Sequence, residues 1–164
     1  MRSRPAGFEV SSIVAAPPEK VWERVVTPQG INDELRPWMR MTVPRGFERL
    51  DPKAIELGRP IGRSWVLLLG LLPVEYDDIT IVELEPGRRF LERSAMLSQR
   101  LWQHERTVEA TDGGSRGDAR AASSSRVTDR IRFEPRLGLP GAAQRPLFRA
   151  IFRHRHRRLR GWFG

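Results

Sequence analysis

The stretch QRPLFRAIFRHRHRRLRGWF, residues 144–163, decides the fold. At about 100° per residue, its apolar side chains fall in one arc of a helix. The arc comprises Leu147, Phe148, Ile151, Phe152, Leu159, Trp162 and Phe163. The opposite side carries Arg149, Arg153, Arg157 and Arg160. The pattern predicts a basic amphipathic helix that begins after Gly141 and ends at Gly161 or Gly164, with its apolar arc packed on a sheet.

One side chain interrupts this pattern. Arg155 projects to the middle of the apolar arc. A charge there is costly unless it meets a carboxylate, a ligand or water. Alternatively, the long aliphatic stem of Arg155 carries the guanidinium to the rim of the interface. Arg155 is therefore either a candidate ligand-binding residue or a side chain that reaches solvent.

Length and charge bound the class of protein. A chain of 164 residues predicts one domain, 1–164, with a single core and room for a cavity. The net charge of +9 comes from 27 arginines and only two lysines. A GC-rich coding sequence produces the same balance, so charge alone does not indicate nucleic acid. The concentration of arginine in the final helix does suggest an anionic neighbour, which could be acidic lipid, nucleic acid or a partner protein.

Several function classes are excluded by what the sequence lacks. The chain has no cysteine, which removes disulfides, thiolate catalysis and cysteine metal sites. The N-terminus has no apolar signal segment, and the longest apolar run, residues 65–74, is far short of the ~20 residues of a membrane span. No phosphate loop, nucleophile elbow or zinc signature is present. We therefore expect a cytoplasmic protein without a transmembrane segment, a metal or a cofactor.

The order of predicted elements indicates the architecture. A first strand at 8–15 is followed by short helices at 19–26, after Pro18, and at 29–35. Strands are then predicted near 38–46, 62–71, 75–85, 88–98, 101–111 and 124–134. The Ser- and Gly-rich segment 111–125 has the composition of a flexible hairpin tip. This order predicts an α+β fold, in which a curved antiparallel sheet is crossed by the long C-terminal helix and a ligand lies between the two.

Two strands place polar side chains toward the core. Alternation puts His104 and Arg106 on the inward face of one strand and Asp129 on the inward face of the next. If the hairpin is symmetric about 116–117, position 104 lies opposite position 129. Such a pair could orient a polar ligand group or supply a general base. The same pair could also do no more than satisfy its own hydrogen bonds.

These inward charges exceed what a core built only for packing tolerates. We therefore predict an amphiphilic or acid-bearing ligand whose apolar body lies against aromatic side chains, although aromatics in such positions are also ordinary core residues. The predicted ligand-binding set comprises Trp65, Tyr76, Trp102, His104, Arg106, Asp129, Phe152 and Arg155.

Several stretches carry a resemblance to a known superfamily. They are residues 8–22, 35–38, 90–92, 102–104, 127–131 and 151–159. Together they resemble the helix-grip superfamily, also called START, Bet v 1-like or SRPBCC, with its polyketide cyclase/dehydrase-like and lipid-transfer members. The spacing of Phe90, Trp102 and His104 is similar to a bacterial ligand-binding subgroup, in which a second His would follow at the position of Arg106. The resemblance implies a cavity protein without naming its ligand.

Three functional hypotheses follow. The first is the binding or carriage of a hydrophobic or amphiphilic small molecule between the sheet and the C-terminal helix. The second is an enzyme of the cyclase or dehydrase kind, with His104 and Asp129 as base and orienting acid. The third is an interaction module in which the basic helix binds nucleic acid or an anionic membrane. It ranks last because the apolar face of that helix already packs inside the domain.

Overall fold

The secondary structure follows the predicted order. A computed structural model describes residues 5–111, 124–136, 138 and 140–164. Its elements are β1 (Ala6–Val14), α1 (Pro18–Val25), α2 (Pro28–Leu35), β2 (Met39–Met41), β3 (Pro60–Leu68), β4 (Leu72–Glu85), β5 (Arg89–Met96), β6 (Gln99–Ala110), β7 (Ser125–Pro135) and α3 (Gly141–Phe163). Most of the hairpin tip predicted at 111–125 lies outside the described residues.

The seven strands form one antiparallel sheet in the order β1-β7-β6-β5-β4-β3-β2. Strands β2 to β7 follow one another as a meander, and β1 returns to pair with β7. The two short helices therefore bridge the chain from one edge of the sheet to the other. The predicted α+β architecture, with a curved antiparallel sheet and a C-terminal helix across it, is confirmed.

The two short helices begin with proline, whose fixed φ suits the first helical turn. In α1, Val21, Trp22 and Val25 are buried, as the sequence predicts. Helix α2 is capped by Thr27, whose hydroxyl accepts a hydrogen bond from the Gly30 backbone N–H at 3.1 Å. This cap brings the start of α2 against the end of α1.

Helix α3 packs on β1, β7 and α2. Its buried residues include Phe152 and Leu159, as predicted, together with Arg155 and His156. Leu147 and Trp162, however, are 62% and 58% exposed, so the prediction that they pack inward is wrong. The helix turns its polar Arg155 and His156 inward because both find hydrogen-bond partners there. The buried stripe is therefore rotated away from the apolar arc that the periodicity defines.

The core is divided into two apolar clusters. One lies beneath α1 and the C-terminal half of α3 and includes Trp22, Phe90 and Leu159. The other lies beneath the N-terminal half of α3 and includes Trp102 and Phe152. The His104 ring lies between the two, at 5.3 Å from the Phe90 ring and 5.1 Å from the Phe152 ring. The polar centre of the fold thus has an apolar cluster on each side.

Two helical glycines provide a matched test of the α1–α2 junction. A Cβ at Gly30 would lie 2.0 Å from the Arg24 carbonyl oxygen, whereas a Cβ at Gly161 would meet nothing within 4 Å. We expect Gly30→Ala to lower the free energy of unfolding by about 1–3 kcal/mol through overpacking. Gly161→Ala should raise it by about 0.5–1 kcal/mol, because alanine is the better helix former. Urea unfolding measures both, and changes of the same sign would contradict the packing described.

Candidate functional site

The pairing of β6 with β7 places the predicted polar residues in a register that differs from the symmetric hairpin. Asp129 lies opposite Arg106, and His104 lies opposite Ile131, so the predicted pairing of positions 104 and 129 is wrong. A shift of two residues keeps every side chain on its predicted face, so alternation alone cannot detect it. His104 nevertheless reaches Asp129 diagonally, with its Nε2 2.7 Å from Oδ1.

Arg106 is the centre of a buried ionic network. Its side chain is only 1% exposed. The guanidinium donates from Nε and Nη2 to the two oxygens of Asp129, each at 2.7 Å. It also donates from Nη1 and Nη2 to Glu34, at 2.7 and 3.0 Å. Burial opposes the charged form, but the two carboxylates outweigh it and raise the pKa of Arg106. The guanidinium therefore joins β6 to β7 and α2.

Asp129 is fully buried and is surrounded by hydrogen-bond donors. Besides the two bonds from Arg106, it accepts from His104 Nε2 at 2.7 Å and from His156 Nε2 at 2.9 Å. Burial alone would raise the pKa of Asp129, but the charges of Arg106 and His104 hold it well below its usual range. Asp129 is therefore ionised and is a poor proton acceptor.

Helix α3 is attached to this network at two points. Arg155, which is 9% exposed, donates from Nε to Glu34 Oε2 at 2.9 Å. His156 bonds Asp129 through Nε2 and Ser12 of β1 through Nδ1, the latter at 2.7 Å. Burial raises the pKa of Glu34, but the charges of Arg106 and Arg155 lower it overall. Of the two alternatives left open for Arg155, the structure shows the buried one, and a carboxylate is its partner.

A second pair of buried carboxyl groups, Asp77 on β4 and Glu92 on β5, lies next to the ionic network. We call the network and this pair together the polar wall. Glu92 Oε1 accepts from the Ser94 hydroxyl at 2.5 Å, and Glu92 Oε2 lies 3.6 Å from His104 Nδ1. Burial raises the pKa of Glu92, but His104 and the hydrogen bonds from Ser94 and Asp77 lower it overall. Burial and the charge of Glu92 raise the pKa of Asp77 well above its usual range. Burial and neighbouring charge thus favour the protonated form of Asp77.

Asp77 has one unsatisfied atom. Its Oδ1 is buried and has no hydrogen-bond partner among the described residues. The side chain lies on the inner face of β4, opposite Ser64 of β3 and Met96 of β5. These strands lie further along the sheet than β1 and β7, on which α3 packs.

Six of the eight predicted ligand-binding residues come together beneath α3. They are Trp102, His104, Arg106, Asp129, Phe152 and Arg155. Trp65 and Tyr76 do not join them. Their rings contact each other, with centroids 5.6 Å apart, and their chain neighbours Ser64 and Asp77 take the inner positions. The prediction that one ligand lies against Trp65 and Tyr76 as well as Trp102 and Phe152 is therefore wrong, because the two pairs do not share a surface.

Four residues of the network were missed from the sequence. They are Glu34, Asp77, Glu92 and His156. The sequence held a signal for Glu34, because helical spacing places it on the inward side of α2. An inward Arg106 also requires a carboxylate partner. Glu92 lies two residues after the buried Phe90, on the same face of β5. His156 lay at the edge of the apolar arc, where no local signal shows whether a side chain is buried.

Among the depressions on the described surface, two are well defined by their lining residues. One of about 310 Å³ lies between the ends of α2 and α3 and is lined by Arg24, Asp33, Glu34, Arg157, Arg158, Leu159, Gly161 and Trp162. The other, about 270 Å³, is formed by the loop around residues 45–61. Neither is the cavity expected between the sheet and α3, where the network and the apolar clusters lie.

No helix in the described ranges is both long enough and apolar enough to span a membrane. No group of three or more histidine, aspartate or glutamate side chains within those ranges is placed to hold a metal ion.

The fold is the helix-grip fold, and solved structures share it. A START superfamily protein from Mycobacterium smegmatis has a TM-score of 0.68 at 9% identity, over 96% of both chains. The Bet v 1-type allergen Ara h 8.0201 has 0.61 at 14% identity, over 98% of both chains. The Zhui aromatase/cyclase from Streptomyces sp. R1128 has 0.60 at 16% identity, over 96% of this chain and 93% of that one. At these identities the similarity shows the fold alone.

A family model described as a domain of unknown function (DUF8410) matches residues 12–163, and the chain belongs to that family. No curated protein matches the chain.

Two arginines on neighbouring strands should differ in how much they contribute to the free energy of unfolding. Arg106→Met would leave the buried carboxylates of Asp129 and Glu34 unpaired, so we expect it to lower the free energy of unfolding by about 3–5 kcal/mol. Arg130→Met makes the same chemical change at a side chain that is 57% exposed and bound to Glu9 and Glu105. There we expect a loss of about 1 kcal/mol or less. Chemical denaturation measures both, and similar losses would show that the network is not desolvated.

Proposed function

We propose that this chain binds a hydrophobic or amphiphilic small molecule against the inner wall of the sheet, beside α3. The fold supports the proposal, because its structural neighbours include a START superfamily protein and an aromatase/cyclase. The observation that carries it is the orphaned Oδ1 of Asp77. Leaving a polar atom buried without a partner costs about 1–3 kcal/mol, and native proteins rarely tolerate it. A hydrogen-bond donor on a ligand would supply the missing partner.

The surroundings of Asp77 suit an amphiphile. Polar groups of Ser64, Ser94 and Glu92 lie near Asp77 on the inner face, and buried or half-buried Ile79, Ile81 and Met96 are apolar neighbours on the same strands. Small-molecule sites generally combine apolar walls with a few polar groups that set orientation. A ligand here would place its apolar body on the strands and its polar end at Asp77.

The polar end of that ligand is a donor, such as a hydroxyl or an amine. The sequence also suggested an acid-bearing ligand, held by the inward cations. Arg106, however, is bound by two carboxylates, and Arg155 is bound to Glu34. Neither guanidinium offers an uncompensated charge to a ligand carboxylate, whereas Asp77 Oδ1 is an acceptor with no donor among the described residues.

Proton-transfer chemistry is the second candidate. The observation that favours it is the line Glu92, His104, Asp129, in which both ring nitrogens of His104 face carboxylates. Against it, Asp129 is held ionised by four donors, and His104 is 5% exposed between two aromatic rings. A cyclase or dehydrase would need His104 to reach a substrate. Conversion of the recovered ligand by the wild type but not by His104→Gln would support this candidate.

The ligand proposal is tested by native mass spectrometry of gently purified protein, followed by organic extraction of any bound molecule. We expect bound material in the wild type and in Asp77→Asn, because asparagine keeps a carbonyl acceptor and a donor toward Glu92. Asp77→Leu, with the same branched side-chain skeleton but without polar atoms, should lose it. Asp78→Leu, which changes the adjacent residue bound to Arg63, should retain it. Wild-type protein free of bound material, or full occupancy in Asp77→Leu, would refute the proposal.

A further inference from the structure

The turn between β3 and β4 presents a group of leucines to solvent. This leucine tip, residues 68–72, contains Leu68, Leu69, Leu71 and Leu72, which are 41%, 61%, 86% and 60% exposed. The Leu71 backbone N–H donates to the Leu68 carbonyl at 3.1 Å, and Leu69 and Gly70 have φ of 51° and 74°. Leu69 and Gly70 are thus the central residues of a type I′ turn, which requires positive φ at both, within the three-residue connection between β3 and β4. The tip is therefore a tight, well-defined protrusion.

Leu69 is locally unfavourable in this turn. Type I′ turns favour Asn, Asp or Gly at the first central position, because an L side chain at positive φ costs about 1–2 kcal/mol. Leu69 is the one non-glycine residue with positive φ in the described part of the chain. Its side chain is mostly in water and adds nothing to either apolar cluster. Folding therefore does not account for a leucine at this position.

The base of the leucine tip is aromatic and basic. The Leu69 backbone N–H donates to the Trp38 carbonyl at 2.7 Å, and Trp38 is itself 57% exposed. Arg40 pairs with Leu67 across β2 and β3, and both Arg36 and Arg40 are exposed. No acidic residue occurs in 35–43 or in 64–74. Protruding leucines with tryptophan and arginine at their base have the composition of side chains that lie at a membrane interface.

We propose that the leucine tip inserts into the surface of an anionic lipid bilayer, with Arg36 and Arg40 against the lipid phosphates. The charge of the surrounding surface favours this partner, because the two arginines have no carboxylate neighbour in either segment. Shape favours it as well, since a stable protein interface needs about 800 Å² on each partner, more than the narrow leucine tip offers. This inference does not depend on the ligand proposed above.

The test is co-sedimentation of the full chain with vesicles of phosphatidylcholine mixed with phosphatidylglycerol, and with vesicles of phosphatidylcholine alone. We expect binding to the anionic vesicles that weakens with salt. Leu69→Asn suits the turn, so the melting temperature should hold or rise, while binding falls roughly tenfold through loss of one buried leucine. The control Leu57→Asn changes another exposed leucine, 47% exposed and outside the tip, and should bind as the wild type does.

A second pair of variants separates the tip from the basic face of α3. Arg40→Gln should weaken binding, whereas Arg153→Gln removes the same charge from the outer face of α3 and should have the smaller effect. Three results would overturn the proposal: no binding at low salt, wild-type binding by Leu69→Asn, or an effect of Arg153→Gln as large as that of Arg40→Gln. A wild-type dimer that Leu69→Asn converts to monomer would also overturn it, because the tip would then bind a second copy.

Discussion

The bidentate contacts of Arg106 with Asp129 and Glu34 are the interaction on which the rest of the structure depends. A guanidinium this deeply buried is tolerated only if every partner is in place. Asp129 is fixed by the pairing of β6 with β7, whereas Glu34 must be delivered by α2. Glu34 and Asp129 then receive Arg155 and His156 from α3. The position of the C-terminal helix is therefore set by charge as well as by its apolar stripe.

The same wall has two electrostatic halves with different roles. Around Asp129 every acceptor is matched by a donor, so that half is rigid and chemically quiet. Around Asp77 burial and the charge of Glu92 favour a protonated carboxyl group, and Oδ1 has no hydrogen-bond partner among the described residues. His104 connects the halves, because its two nitrogens face Glu92 and Asp129. We regard the first half as the element that holds α3 in place and the second as the part that would meet a ligand.

Sequence periodicity predicted the order of elements and the inward face of β6 and β7, because both depend on local alternation. It could not set the register of that hairpin, since a shift of two residues leaves the faces unchanged. Glu34 and His156 were not predicted, because their burial depends on partners that are distant in the sequence. Arg106 lies 72 residues from Glu34, and Asp129 lies 27 residues from His156. Trp65 was misplaced because its apolar run has no alternation to read. The sequence thus predicted the central residues His104, Arg106 and Asp129. It did not predict Glu34, Glu92 and His156, which contact them.

Carboxyl carbon-13 NMR titration of the wild type tests whether buried charges organise this fold. The ordinary pKa of an aspartate is 3.8 and that of a glutamate is 4.5. We expect the pKa of Asp129 to lie well below 3.8, that of Glu34 below 4.5, and that of Asp77 well above 3.8. If Asp129 and Asp77 titrate together near 3.8, both are in water, and the buried network does not exist in solution.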